Sequence, residues 1–214
     1  MAWAGGGTFQ RSDESWPGAI MAEGIFGSTL IATNKGWVPA ATLTAGMPVM
    51  TFDAGEQALF SVRLHALGAG PASLWPLLVP AWALDNRDPL LLLPEQKLLI
   101  ESDCAEMQFG DPFALIPAAA LEGWRGVSRL RPEPGTTVVT LGFDMPQVVY
   151  ANRGTLLACP GSPLSGLVLD GMRDWAEYSS FTLAQAQELI ACMIAEEAGA
   201  ALRALGQDWS HPAP

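Results

Sequence analysis

The chain has 214 residues, 50% of them hydrophobic, and its 22 acidic against 11 basic residues leave a formal net charge of −11. That length suits one β-rich domain with extensions or two small domains, and the apolar share is enough for a packed core. The charge balance excludes the basic stripe of a nucleic-acid surface and disfavours attraction to an anionic membrane.

Residues 1–23 form an N-terminal arm rich in Gly and polar side chains, with Trp3 and Trp16 as isolated aromatics. It has no basic segment followed by an apolar one, so no ordinary signal peptide is read. Apolar runs such as Leu90 to Leu93 are too short to span a bilayer, so no membrane insertion is expected. The expectation is a soluble protein, cytoplasmic by default, with export by another route left open.

Gly24 to Asp53 is the most informative stretch. Ser28 to Thr33 is a β-branched run read as strand, Asn34-Lys35-Gly36 is a turn signal, and Trp37 resumes the chain. Val49 to Phe52 is a second extended run. Phe60 to Leu64 alternates apolar and polar as a half-buried strand does, and His65 beyond it is read as a satisfied, partly buried histidine. Gly68 to Pro76 is loop. Leu77 to Pro80, then Trp82 to Leu84, reads as a strand that stops at a proline, and Asp85 to Asp88 is a turn.

Two apolar runs, Leu90 to Leu93 and Leu98 to Ile100, flank Pro94-Glu95-Gln96-Lys97. Phe113 to Ile116 predicts a short strand, with one helical turn starting near Pro117. Two β-rich arms between Thr136 and Ala158 flank Asp144-Met145-Pro146-Gln147, which reads as a hairpin. Gly166 to Glu177 reads as a short helix. Thr182-Leu183-Ala184-Gln185 is a capping-box pattern. Leu183, Ala186, Leu189, Ile190, Met193 and Ile194 then recur at helical spacing, giving a helix of about five or six turns by length that stops at Gly206. That helix either packs on its own domain or serves an unknown protein partner or self-association through residues 182–205.

Cys104, Cys159 and Cys192 are few and widely spaced, which argues against a disulfide framework, and no CxxC or Cys/His cluster offers a zinc site. His65 and His211 are too few for a histidine metal site or triad. No metal and no cofactor is expected.

Several of these words together resemble a known family. Ser28-Thr29-Leu30-Ile31-Ala32-Thr33, Gly36-Trp37, Leu43, Gly46 and Val49-Met50-Thr51-Phe52-Asp53 resemble the opening block of the bacterial, non-intein type of Hint (hedgehog/intein) domain. The Pro94 to Lys97 turn, the Leu115 to Leu121 segment, and Phe143-Asp144 with Val148-Val149-Tyr150-Ala151 resemble later blocks in the same order. The resemblance implies a mainly β fold over residues 24–161. It would be a Hint-type flattened barrel or horseshoe of short antiparallel strands, with a C-terminal helical extension over 162–214.

What the resemblance implies for chemistry is self-processing. A Cys or Ser attacks the carbonyl preceding it, a histidine protonates the leaving nitrogen, and oriented hydrogen bonds hold the oxyanion. In this chain the nucleophile position falls on Gly24. The histidine positions fall on Lys97, Thr140 and Pro146, Ala119 stands where an arginine is common, and Met47 replaces an aspartate. Lysine, with an ordinary pKa of about 10.4, is a poor proton donor and acceptor near neutrality. Ser28 and Cys159 are the substitutes on offer, but Ser28 has no identifiable base and Cys159 reads as a small buried hydrophobe. The expectation is a Hint-domain protein unable to self-process, acting as a scaffold or protein-binding module. The alternatives are residual autoproteolytic or hydrolytic activity through a non-family nucleophile, and oligomerisation through the C-terminal helix.

Overall fold

The structure, a computed structural model, describes residues 18–133, 135–161 and 178–208. The short helix expected at Gly166 to Glu177 lies outside them, as do Trp3, Trp16 and His211.

The first strand, β1 (Ile25–Phe26), is followed by a tight turn and a hairpin of β2 (Leu30–Thr33) and β3 (Gly36–Pro39). Thr33 fixes that hairpin: its Oγ1 donates to the Gly36 carbonyl at 2.7 Å and accepts from the Lys35 N–H at 3.2 Å. Gly36, at φ 104, takes a left-handed conformation that suits glycine. Ser28, read as strand, instead lies exposed in the turn after β1, where the Thr29 N–H donates to the Phe26 carbonyl. β4 (Pro48–Thr51) and β5 (Gly55–Ala58) form the next hairpin, and β6 (Ser61–Ala66) the half-buried strand foreseen. β7 (Leu77–Val79) ends at Pro80 as expected, while Trp82 to Leu84 turns rather than extends.

β8 (Leu90–Leu92) and β9 (Lys97–Glu101) flank the Pro94 turn. A seven-residue helix, α1 (Asp103–Phe109), follows. It is capped by Ser102, whose Oγ accepts the Cys104 N–H at 3.2 Å, and it stops at Gly110 in the left-handed region. β10 (Phe113–Pro117) runs into a 3-10 turn over Ala118–Leu121, matching the turn expected from Pro117. β11 (Ser128–Arg129), β12 (Thr137–Gly142), β13 (Gln147–Ala151), β14 (Thr155–Cys159) and β15 (Ser179–Ser180) complete the strands.

Among the described residues the strands form two sheets, one of six in the order β11-β7-β8-β1-β12-β6 and one of nine built around β10-β9-β14-β13-β2-β4-β5. β12 pairs with β1 and β6, whereas β13 pairs with β14, β2 and β4. The Asp144 to Gln147 segment is therefore not a hairpin. It carries the chain from one sheet to the other. The hairpin lies one turn later, at Asn152-Arg153-Gly154, between β13 and β14.

Ile25, Ile31, Leu77, Leu98, Ile116, Val139, Val149 and Leu157 from both sheets share one buried cluster with Ala186, Leu189 and Ile190. These last three sit on α2 (Leu183–Asp208), which the Thr182–Gln185 capping box starts as predicted. The helix runs past Gly206, the expected stop. Cys192 on α2 is joined to the fully buried Cys104 of α1 by a disulfide with a Cα–Cα separation of 6.2 Å. The sparse cysteines argued against such bridging; the pairing is long-range and invisible to local spacing. No helix among the described residues is long and apolar enough to cross a membrane.

Candidate functional site

Gly24 stands at the mouth of β1, between β8 and β12. Register brings Ile25 opposite Val139 and Leu92, so one step back sets Gly24 beside Thr140 on one side. Gly24 has φ 134, and a Cβ built on it would lie 2.5 Å from Val138 Cγ1. Both the backbone and the space around it therefore call for glycine. Val138 belongs to a small satellite core with Phe26, Leu67 and Leu93, so it has little room to yield.

The side chain that meets Gly24 is Gln96, one residue before the expected histidine position at Lys97. Gln96 is 2% exposed, and its Oε1 accepts the Gly24 N–H at 3.3 Å. Its Nε2 donates to the Ala158 carbonyl at 2.8 Å and to the Lys97 carbonyl at 3.0 Å. The turn that presents Gln96 is fixed on both sides. Its N–H donates to Leu93 O, Ala118 N–H donates to Gln96 O, and Glu95 N–H donates to Ala22 O. Ala119, at the position where arginine is common, donates its N–H to Pro94 O and contributes only a methyl group.

Lys97 begins β9, and strand alternation turns it the other way. Its Nζ donates to Ser180 Oγ, and the residue is half-buried. Thr140 lies half-buried on β12, cross-strand from Arg63. Pro146 sits against Gly161, where a Cβ would come 3.0 Å from the proline nitrogen. His65 is cross-strand from Val138, two positions along from the Thr140 pair. Ser28 lies beyond the far end of β1 and is not brought to Gly24.

Cys159 is brought near. It ends β14, next to the Ala158 carbonyl that Gln96 holds, and it is buried. Burial pushes its thiol well above the ordinary cysteine range, and the charge of Glu23 adds to the shift. A thiol so placed is a weak nucleophile, because the thiolate is the attacking form. Glu23 keeps exposed surface, yet partial loss of water around its carboxyl raises its pKa; Lys97 opposes that shift and Glu95 adds to it. Gly24 is thus held through its N–H by Gln96, with the charges of Lys97 and Glu95 acting on the adjacent Glu23, and it has no side-chain oxygen or sulfur of its own.

Elsewhere, one ligand atom each of Cys104, Cys192 and Glu196 lies within 4.8 Å of the others. Both sulfurs are committed to the disulfide, so this group does not offer thiolates to a metal.

A family model described as Hint domain matches residues 25–156. That is more than half of the chain, and the chain belongs to the Hint-domain family. Among solved structures, a bacterial intein-like domain from Clostridium thermocellum is similar at 11% identity and a TM-score of 0.47, over 63% of this chain and 97% of that one. No curated protein matches the sequence. The fold is that of the family: mainly β, with antiparallel sheets and a C-terminal helix.

Proposed function

We propose that this Hint domain does not cut its own chain and acts as a scaffold that binds other proteins. The observation that carries the proposal is Gly24. An acyl shift needs an oxygen or sulfur one side chain away from the scissile carbonyl, and Gly24 supplies neither. Its φ and the 2.5 Å approach of Val138 Cγ1 to any Cβ oppose even an added one. The group on the Gly24 N–H is the amide of Gln96, which has no titratable proton to give a leaving amine. Lys97 is committed to Ser180 instead. The neighbouring substitute, Cys159, is held as a buried thiol.

Intact mass of the full chain, followed over a day with and without dithiothreitol, tests this. One undivided species is expected in both. A fragment pair broken between Glu23 and Gly24 would end the proposal.

A second reading, self-association through α2, is favoured by one observation. Ile194 and Leu202 are 46% and 70% exposed on the outer part of the helix, eight residues apart on similar sides. Light scattering of the full chain beside an Ile194→Asp/Leu202→Asp variant tests it. A larger solution mass for the unaltered chain supports it, and equal masses count against it.

A further inference from the structure

Where strand β3, the β7–β8 connection and the β13–β14 turn meet, an open hollow of about 440 Å³ is lined by Trp37, Arg87 and Arg153. All three side chains are exposed. Two guanidiniums and an indole share this hollow, with the Asp88 carboxylate facing Arg153.

Asn152 builds the hollow. It is 4% exposed, and its Oδ1 accepts the Leu30 N–H at 2.8 Å. Its Nδ2 donates to the carbonyls of Pro89 at 3.0 Å and Asp88 at 3.4 Å. Its backbone N–H donates to Leu30 O at 2.8 Å, and its carbonyl accepts the Arg87 N–H at 3.0 Å. One residue thereby ties together the Arg87 turn, the Arg153 turn and β2, whose hairpin partner β3 carries Trp37.

The Arg153 turn holds a second observation. Gly154 N–H donates to Ala151 O at 3.1 Å, closing a turn whose central residues, Asn152 at φ 41 and Arg153 at φ 69, are both left-handed. Such turns favour Asn followed by Gly. The first place has the favoured residue. The second has an arginine, which bears a conformational cost that glycine would not. What the arginine adds there is its guanidinium. The acid facing it is Asp88, with an Nε–Oδ2 distance of 4.0 Å between two side chains that are each about half exposed. Arg87 makes no ion pair among the described residues.

We propose that this hollow binds a phosphate monoester that also bears an aromatic ring, either directly on the ester oxygen or through a sugar. Arg87 and Arg153 hold the phosphate oxygens as charge-assisted donors, and the Trp37 face stacks on the ring. A nucleoside monophosphate and a phosphotyrosyl side chain share this chemistry. The binding involves no bond making or breaking and is independent of whether the chain can cut itself.

Calorimetric titration of the full chain with adenosine 5′-monophosphate, blocked phosphotyrosine amide, adenosine and inorganic phosphate tests the proposal. At least one ring phosphate should bind about tenfold or more tighter than either adenosine or inorganic phosphate, and the tighter of the two identifies the source. Arg153→Gly should lose about tenfold or more of that affinity while its thermal midpoint holds or rises, because the turn relaxes. Failure of both ring phosphates to bind overturns the proposal. So does binding no tighter than inorganic phosphate, or unaltered affinity in Arg153→Gly.

Discussion

Gln96 Oε1 accepts the Gly24 N–H at 3.3 Å, so a neutral amide occupies the contact through which a self-cutting domain would have to release nitrogen. The contact joins a residue with no side-chain nucleophile to an amide with no titratable proton.

Restoring a thiol should not restore cleavage. Gly24→Cys places Cβ 2.5 Å from Val138 Cγ1 at φ 134. Overpacking costs about 1–3 kcal/mol, and backbone strain adds about 1–2 kcal/mol. The thermal midpoint should fall by several degrees, and intact mass with dithiothreitol should remain whole. Adding Val138→Ala should recover the packing part of the loss and leave the strain. Thiol-induced scission in either variant would show that a proton donor exists which the geometry does not reveal.

Gln96→Leu keeps much of the volume but leaves the Gly24 N–H and Ala158 carbonyl without their partner. Unpaired buried groups cost about 1–3 kcal/mol each. Urea unfolding should show a midpoint lowered accordingly with an unchanged slope. A midpoint equal to that of the unaltered chain would mean that water reaches both groups.

The Cys104–Cys192 disulfide closes a loop with a sequence separation of 88 residues. Constraining a loop of this size stabilises by about 2–4 kcal/mol. Peptide mapping without reductant should return the Cys104–Cys192 pair and a free Cys159, and dithiothreitol should lower the thermal midpoint. A midpoint indifferent to reductant would show that α2 is held by its Ala186, Leu189 and Ile190 contacts alone.

Glu23 predicts a pH dependence. Its folded pKa is raised above the ordinary 4.5, so the folded state binds its proton more tightly than the unfolded state does. By linkage, its contribution to stability is fully present below the ordinary value and is lost as pH rises through the raised one. Glu23→Gln should flatten the midpoint-versus-pH curve in that window and raise stability at neutral pH. A parallel curve would assign the dependence to other carboxylates.

Most of the strands were legible from residue order alone. The Asn34-Lys35-Gly36 turn, the Pro80 stop, the Pro117 helical turn and the Thr182 cap are local devices, and the structure carries them as read. The site was less legible because strand faces alternate every residue. Matching single positions put Lys97 where a histidine belongs, yet the side chain that reaches Gly24 is its neighbour Gln96. The start of β9 at Lys97 is the signal that could have found it. Asp144 to Gln147 has hairpin chemistry, but turn residues do not say which strand a departing chain will join. α1 is too short to show a period, and its Ser102 cap and Gly110 stop were the available clues. The disulfide joins residues from separate elements and leaves no local trace.

Gln96 also fastens together two stretches far apart in the chain. By bonding both Gly24 and Ala158, it draws the two ends of the β domain to a single spot. The two leads then part: Ala19 bridges to Leu67 past one end of β12, and Gly161 bridges to Phe143 past the other. The glutamine is thus a crossing point, a rivet through two stretches that approach it and leave it along different paths.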